Sequence, residues 1–333
     1  MVKAKNKSSS FLYEPRTPFP KLPEVRFHDT PERSLYHLFD TAKESIYGIN
    51  LAKNCPFQPS HPLLSMNFEM LDYSLPRQPE RNASWETKFC KKLPDSILIG
   101  QNYEPFAPFE KTRTLAIALG KFLVNQGFKI WFQTRTMLDL ELFETLLYLE
   151  EKVQLLLPFH TLNDRIAKLI EPFSPAPTSR IKQLETLKNL GIPFEVSLDS
   201  LIPGLNDTKA NLFPLLESLA DKGVKRTTIS FMNLQSETLS HSIKQNSQFF
   251  SLQFFSLWEA GVDFEFPDLR IRKLLNSHYR KAKYSEIMTW GKQVGIQIVV
   301  DGIANPDFAR RSPSEAYSVT SNLKERYLAL TNV

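Results

Sequence analysis

The side chains best suited to chemistry fall into two groups. The first is the loop Cys55-Pro-Phe-Gln-Pro59-Ser-His61-Pro62, which offers one thiol and one imidazole. Both are metal-ligating groups, and imidazole can replace thiolate on iron. Cys90 is the second of two cysteines and lies far from this loop. The competing reading makes Cys90 a small, partly buried residue and His61 an ordinary loop residue. The second group is polar: Glu104, Arg135, His160, Asn206 and Asp207 all fall at the ends of apolar runs. A guanidinium such as Arg135 can grip a carboxylate through two parallel hydrogen bonds, or it can be an ion-paired strand-end arginine. His160 offers a polar group at a strand end, with a hydrogen-bonded structural role as the alternative. Asn206 and Asp207 close Pro-Gly-Leu-Asn-Asp, which is also a good turn and N-cap for a helix at Lys209.

The elements that must position these residues become regular from residue 96. Ser96 to Gly100 reads as a buried strand, and Thr112 to Gln126 as an amphipathic helix closed by Gly127. Phe128 to Gln133 is the next strand and Asp139 to Glu150 the helix after it. Lys152 to Leu157 is a strand; Leu162 to Ile170 and Thr178 to Asn189 are helical, split by Pro172, Pro175 and Pro177. Pro193 to Asp199 is a strand, Lys209 to Lys222 a helix ended by Gly223, and Val224 to Phe231 a strand. Strands alternating with such helices imply parallel pairing and an α/β fold. In a parallel barrel, ligands bind at the C-terminal strand ends, which is where the second group lies.

Upstream, residues 1–35 are rich in Lys, Ser and Pro and read as an extended arm. Leu35, Leu38, Phe39 and Ala42 have helical spacing, which predicts a short helix over 34–42. Ser45 to Leu51 reads as a strand leading into the Cys55 loop, and residues 59–95 show no placeable element. Residues 236–333 are expected to form a C-terminal extension packed on a barrel of residues 36–235. Within it, Gln245 to Ala260 is predicted helical, Val262 to Phe266 a strand, Arg270 to Lys292 helical in segments, and Ile296 to Val300 a strand. Arg270, Arg272, Lys273, Arg280, Lys281 and Lys283, with Tyr279 and Tyr284 between them, suggest a phosphate-binding face. Charges at such spacing otherwise make a solvated surface.

The bulk numbers exclude several classes. The 333 residues are 42% hydrophobic and 23% charged, with a net charge of +5, ordinary for a globular protein and mild enough to require no acidic partner. Two cysteines argue against a disulfide framework and for a reducing compartment. Basic residues at the N-terminus have no apolar stretch behind them, unlike a secretory signal. No segment approaches the roughly 18 apolar residues that span a bilayer, so a cytoplasmic location is expected. No Gly-x-Ser-x-Gly, phosphate loop, His-Glu-x-x-His or Cys-x-x-Cys occurs.

Four motifs carry a resemblance: Tyr103-Glu-Pro-Phe-Ala-Pro-Phe-Glu110, Thr134-Arg-Thr136, Glu171-Pro-Phe-Ser-Pro-Ala-Pro177 with Arg180, and Ile202-Pro-Gly-Leu-Asn-Asp207. In this order they resemble the radical SAM superfamily, in its spore photoproduct lyase-like ("DNA repair photolyase") branch, over residues 40–235. The resemblance implies a partial (βα)6 TIM-like barrel with a C-terminal α/β extension. It implies S-adenosylmethionine across the strand tops and a 4Fe-4S cluster on Cys-x3-Cys-x2-Cys. The cofactor-binding positions that follow are Glu104, Thr134, Arg135, Thr136, His160, Asn206 and Asp207. In that branch a lysine at the position of Arg135 meets the methionyl carboxylate, and an aspartate stands where this chain has Glu104. The three cluster positions align with Cys55, Pro59 and Pro62, and proline has no donor atom, so Cys55 reads as a metal-site remnant and a 4Fe-4S cluster is not expected. The leading expectation is a binding or regulatory pseudoenzyme that keeps the barrel and a ligand pocket for S-adenosylmethionine or a nucleotide-like molecule. The alternatives are an active radical SAM enzyme using Cys55, His61 or Cys90, and a nucleic-acid-binding protein.

Overall fold

The computed structural model describes residues 26–28, 35–40, 45–49, 74–76, 94–101, 103–107, 110–149, 152–171, 174–235, 252–266, 271–302, 304–309 and 319–320. Cys55, His61 and Cys90 lie outside them, as does nearly all of the N-terminal arm. The strands are β1 (Arg26–His28), β2 (Leu35–Asp40), β3 (Ser45–Ile49), β4 (Ser74–Pro76), β5 (Ser96–Ile99), β6 (Lys129–Gln133), β7 (Val153–Phe159), β8 (Phe194–Leu201), β9 (Arg226–Phe231), β10 (Leu234–Gln235), β11 (Asp263–Glu265), β12 (Ile271–Lys273), β13 (Gln297–Asp301) and β14 (Val319–Thr320). The helices are α1 (Glu110–Asn125), α2 (Leu140–Tyr148), α3 (Asp164–Ile170), α4 (Pro177–Asn189), α5 (Lys209–Asp221), α6 (Leu252–Glu259), α7 (Ser277–Val294) and α8 (Pro306–Ala309).

Among these residues the main sheet has the order β14-β13-β9-β8-β7-β6-β5-β3-β2. All neighbours from β3 to β14 are parallel, and β2 closes one edge antiparallel to β3. Among the described residues the sheet does not return on itself: this is an α/β partial barrel, as expected from the alternating strands and helices. Its regular elements follow the expected ones within a few residues from Ser96 to Phe231.

Three local expectations are corrected. Residues 35–40 are a strand, not a helix. The β2–β3 register slips between His37 and Phe39, so one extra residue turns a period of two into the spacing of a helix. Ile271–Lys273 is a strand of a small antiparallel sheet, β10-β12-β11, and not part of a helical segment. Ser74–Pro76, from the stretch without a placeable element, pairs in parallel with Arg26–His28. The C-terminal strand β13 also joins β9 directly, so the region beyond residue 235 extends the sheet itself.

The outer face of the sheet is packed by helices. Leu155, Leu157 and Phe159 of β7, Val196 and Leu198 of β8, and Leu184 and Leu187 of α4 share one buried aliphatic cluster. Fully burying each such side chain is worth about 1.5–3 kcal/mol. α1 approaches so closely that a Cβ on Gly120 would sit 2.7 Å from the Phe132 ring. No described helix is long and apolar enough to cross a membrane.

The C-terminal part is tied to the end of β9. Tyr284 is fully buried; its hydroxyl accepts from the Phe231 amide (3.3 Å) and donates to Asn305 Oδ1 (2.9 Å). Arg280 is 1% exposed. It donates to Leu275 O (2.7 Å) and Asn305 Oδ1 (2.7 Å), pairs with Asp307 (2.6 Å), and lies over the Phe308 ring. The basic face drawn from the sequence therefore loses Arg280 and Tyr284 to the interior. Of its other members, Lys273 pairs with Asp263, Lys283 with Glu286, and Arg272 lies over Phe266; Arg270 lies outside the described residues.

Candidate functional site at the strand ends

The site begins with the loop after β5. Gly100 has φ +99, and a Cβ there would lie 2.5 Å from Gln133 O and 2.7 Å from Pro105 Cδ. Only glycine lets the chain turn back this tightly, and the turn buries Glu104 against the end of β6. Glu104 Oε1 accepts from the Phe106 amide (3.2 Å) and from the Thr134 hydroxyl, and Oε2 accepts from the Arg135 amide (2.7 Å). Burial pushes this carboxyl above its ordinary value, and the Thr134 hydroxyl, the Arg135 amide and the Arg135 charge offset part of that rise. Thr134 in turn accepts from the Thr136 amide (3.1 Å), while the Thr136 hydroxyl is buried with no hydrogen-bond partner.

Next to it, the ends of β6, β7 and β8 meet around Glu171, in the link between α3 and α4. Arg135 Nε lies 2.5 Å from Glu171 Oε1, and His160 Nε2 lies 2.6 Å from the same oxygen. Ser174 donates to Glu171 Oε2 (2.9 Å). His160 Nδ1 faces the carbonyl of Asp199 at 2.5 Å, which makes that nitrogen the donor. Arg135 Nη2 is 3.5 Å from Asp199 Oδ1. Arg180, also buried, donates to the carbonyl of Pro158 and lies over the Phe159 ring. Burial opposes charge on Glu171, but Arg135 and then His160 outweigh it and hold the carboxyl well below the ordinary range. Burial also pulls Arg180 down to about 10, against the attraction of Glu171.

Asn206 and Asp207 organise the loop that follows β8. Asn206 Oδ1 accepts from the Ile202 amide (2.6 Å) and its amide donates to His160 O (3.3 Å). Asp207 Oδ1 accepts from the Gly204 amide (2.6 Å), and Oδ2 accepts from the Tyr279 hydroxyl of α7 (2.7 Å). Burial raises the Asp207 carboxyl, offset by Tyr279 and Gly204. The turn reading matches these bonds, but the N-cap of α5 is Thr208, whose side chain makes no capping bond.

Glu104, Thr134, Arg135, Thr136, His160 and Asn206 are thus joined in one network, with Asp207 at its edge. Cys55 lies outside the described residues. The sequence reading missed Glu171, Asp199, Ser174 and Tyr279 as site members. Glu171 stood in a quoted motif, and Asp199 ended a predicted strand; Tyr279 was assigned to the basic face, and only the packing of α7 brings it to Asp207.

The backbone is strained at the same place. Ser200 has φ 59, the one non-glycine residue with positive φ among those described. It lies inside the interval where the β8–β9 register shifts, between Leu198 and Leu201. A left-handed non-glycine residue costs on the order of 1–3 kcal/mol and tends to mark functional sites.

No family model matches the chain. An uncharacterised protein, ORF301 of Acidianus two-tailed virus, is 28% identical over 131 residues, covering 38% of this chain and 43% of that protein. The chain therefore spans less than half the length of the curated relative it matches. Among solved structures, a substituted spore photoproduct lyase with bound AdoMet and dinucleoside spore photoproduct superposes with a TM-score of 0.60 at 8% identity, over 82% of this chain and 80% of that one. SuiB of Streptococcus suis bound to the precursor peptide SuiA gives 0.52 at 11% identity, over 79% of this chain and 51% of that one. Both are radical SAM enzymes. The fold is of the radical SAM partial-barrel type. Identities this low carry no more than the fold, and function must be argued from the site.

Proposed function

We propose that this chain is a binding or regulatory protein on a radical SAM-type barrel, without cluster-dependent chemistry, whose strand-end site holds S-adenosylmethionine or a related nucleoside. The observation that carries the reading is chemical. The family's cluster takes three thiolates, one on each of three irons; this chain has two cysteines in all, and Pro59 and Pro62 stand at two of the three loop positions. The residues present do not fit that group, and no reaction step is drawn through it. Glu104, Thr134, Arg135, Thr136, His160, Asn206 and Asp207 are the proposed ligand-facing set. Their support is the network that gathers most of them at the C-terminal strand ends, where parallel α/β barrels bind ligands.

The test is anaerobic reconstitution with iron and sulfide, followed by assay for reductive cleavage of S-adenosylmethionine. The expected outcome is no stoichiometric 4Fe-4S spectrum and no 5′-deoxyadenosine, with nucleoside binding retained. A full cluster that cleaves S-adenosylmethionine, and that disappears in Cys55→Ala, would establish the active-enzyme alternative instead.

A further inference from the structure

Most polar atoms at the strand ends have partners; apart from the Thr136 hydroxyl, the strand-end atoms without one lie on β8 and β9. Arg135 is engaged by Glu171 and Asp199, and Arg180 by the Pro158 carbonyl and the Phe159 face. Both oxygens of Glu104, of Glu171 and of Asp207 have donors. Asp199 differs: its Oδ1 is buried and accepts no hydrogen bond, with Arg135 Nη2 at 3.5 Å and His160 Nδ1 at 4.0 Å. Ser197 stands two residues before Asp199, on the same face of β8, and is fully buried with an unpartnered hydroxyl. Its registered neighbour on β9, Thr228, is 3% exposed, and its hydroxyl is unpartnered too. Buried polar atoms without partners are rare in folded proteins, and here three lie side by side on the inner wall.

We infer that this inner wall binds an organic cation without a carboxylate, its N–H donors on Asp199 Oδ1 and its polar groups on the Ser197 and Thr228 hydroxyls. What is left over at the end of β8 is an ionisable acceptor and two hydroxyls; among the described residues the strand-end guanidiniums Arg135 and Arg180 are engaged, and Arg226, whose Nε is also buried without a partner, starts β9 at its opposite end. A ligand carboxylate would meet Asp199, and would have to displace Glu171 from Arg135. An ammonium supplies the donor that this acceptor lacks, and a sulfonium contributes charge alone. The inference narrows the nucleoside-binding reading to related nucleosides without a carboxylate in place of intact S-adenosylmethionine, and rests on it only for the group attached to the cation.

Calorimetric titration of the full chain with four probes tests it: S-adenosylmethionine, its decarboxylated form, 5′-methylthioadenosine and butylamine. Decarboxylated S-adenosylmethionine should bind about tenfold or more tighter than both S-adenosylmethionine and the neutral thioether, a difference in the range of one desolvated charge contact. Asp199→Asn should abolish that preference, and the double variant Ser197→Ala, Thr228→Val should weaken binding of the cation without lowering Tm. If S-adenosylmethionine binds as tightly as its decarboxylated form, the inference falls and the nucleoside reading stands. If butylamine binds in an Asp199-dependent way and no nucleoside does, the inference stands and the nucleoside reading falls. If neither cation binds better than the thioether, the inference is overturned whether or not Asp199→Asn folds.

Discussion

On the outward face of β7 and β8, Leu155, Leu157, Phe159, Val196 and Leu198 pack with α4 into a continuous apolar layer. On the inward face of β8 and β9, the registered pair Ser197 and Thr228, with Asp199 beyond it, carries unpartnered polar atoms. A closed TIM barrel fills its interior with branched aliphatic side chains; here the inward face mixes buried Leu98, Trp131, Leu156 and Val299 with these polar positions. The same strands pack the helices through one face and carry the unpartnered polar atoms on the other. Substitutions should separate the two roles.

The largest expected effect is at the boundary between the faces. Glu171→Ala leaves Arg135 and His160 without their shared carboxylate, and removing one member of a buried ion pair costs about 3–5 kcal/mol; urea denaturation measures it. Leu198→Ala, on the outward face, should cost about 2–5 kcal/mol with ligand affinity per folded molecule unchanged. An equal loss of binding and stability there would break the division of roles.

The two buried glutamates should respond to acid in opposite directions. Glu171 has a folded-state pKa below its unfolded value, so its contribution is present above about pH 4.3 and is lost as pH falls further. The stability gap between wild type and Glu171→Gln should therefore shrink between about pH 6 and about pH 3. Glu104 is raised by burial, so its protonation favours the folded state and its contribution grows as pH falls. A gap at Glu171 that widens in acid would contradict this assignment.

Two smaller effects sharpen the comparison. Ser200→Gly removes a left-handed conformation from a residue with a Cβ, and should raise stability by about 0.5–1 kcal/mol after glycine's own entropy cost. Ser197→Ala deletes a buried hydroxyl that has no partner, and should change stability by no more than about 0.5 kcal/mol. A loss of 2 kcal/mol or more, well above that of about 1 for a typical made hydrogen bond, would show that the hydroxyl is already satisfied.

Much of this was legible in the chain itself. The strands and helices from Ser96 to Phe231 declared themselves because both faces of each strand are buried and each helix carries one apolar stripe. The strand-end residues were found for the same reason: once the strands are placed, Glu104, Arg135 and His160 can lie nowhere else. Residues 35–40 misled because a bulge imitates helical spacing. Asp199 was hidden for a related reason, since the bulge around Ser200 decides what it faces, and that depends on the register with β9. Arg280 looked like surface charge because nothing nearby in sequence reveals Asn305 and Asp307. A side chain's partners across the fold are not encoded in its local pattern.

From β3 through β5, β6, β7, β8, β9 to β13, the spatial order of the parallel strands repeats the order in which the ribosome makes them. Each strand can therefore dock on one already in place, and no later strand has to be inserted between two earlier ones. Until residues 297–301 emerge, however, β9 presents an unpaired strand edge, the kind of surface that recruits other chains. A nascent chain truncated before Gln297 would be a seed for aggregation even with every residue of the strand-end network already made.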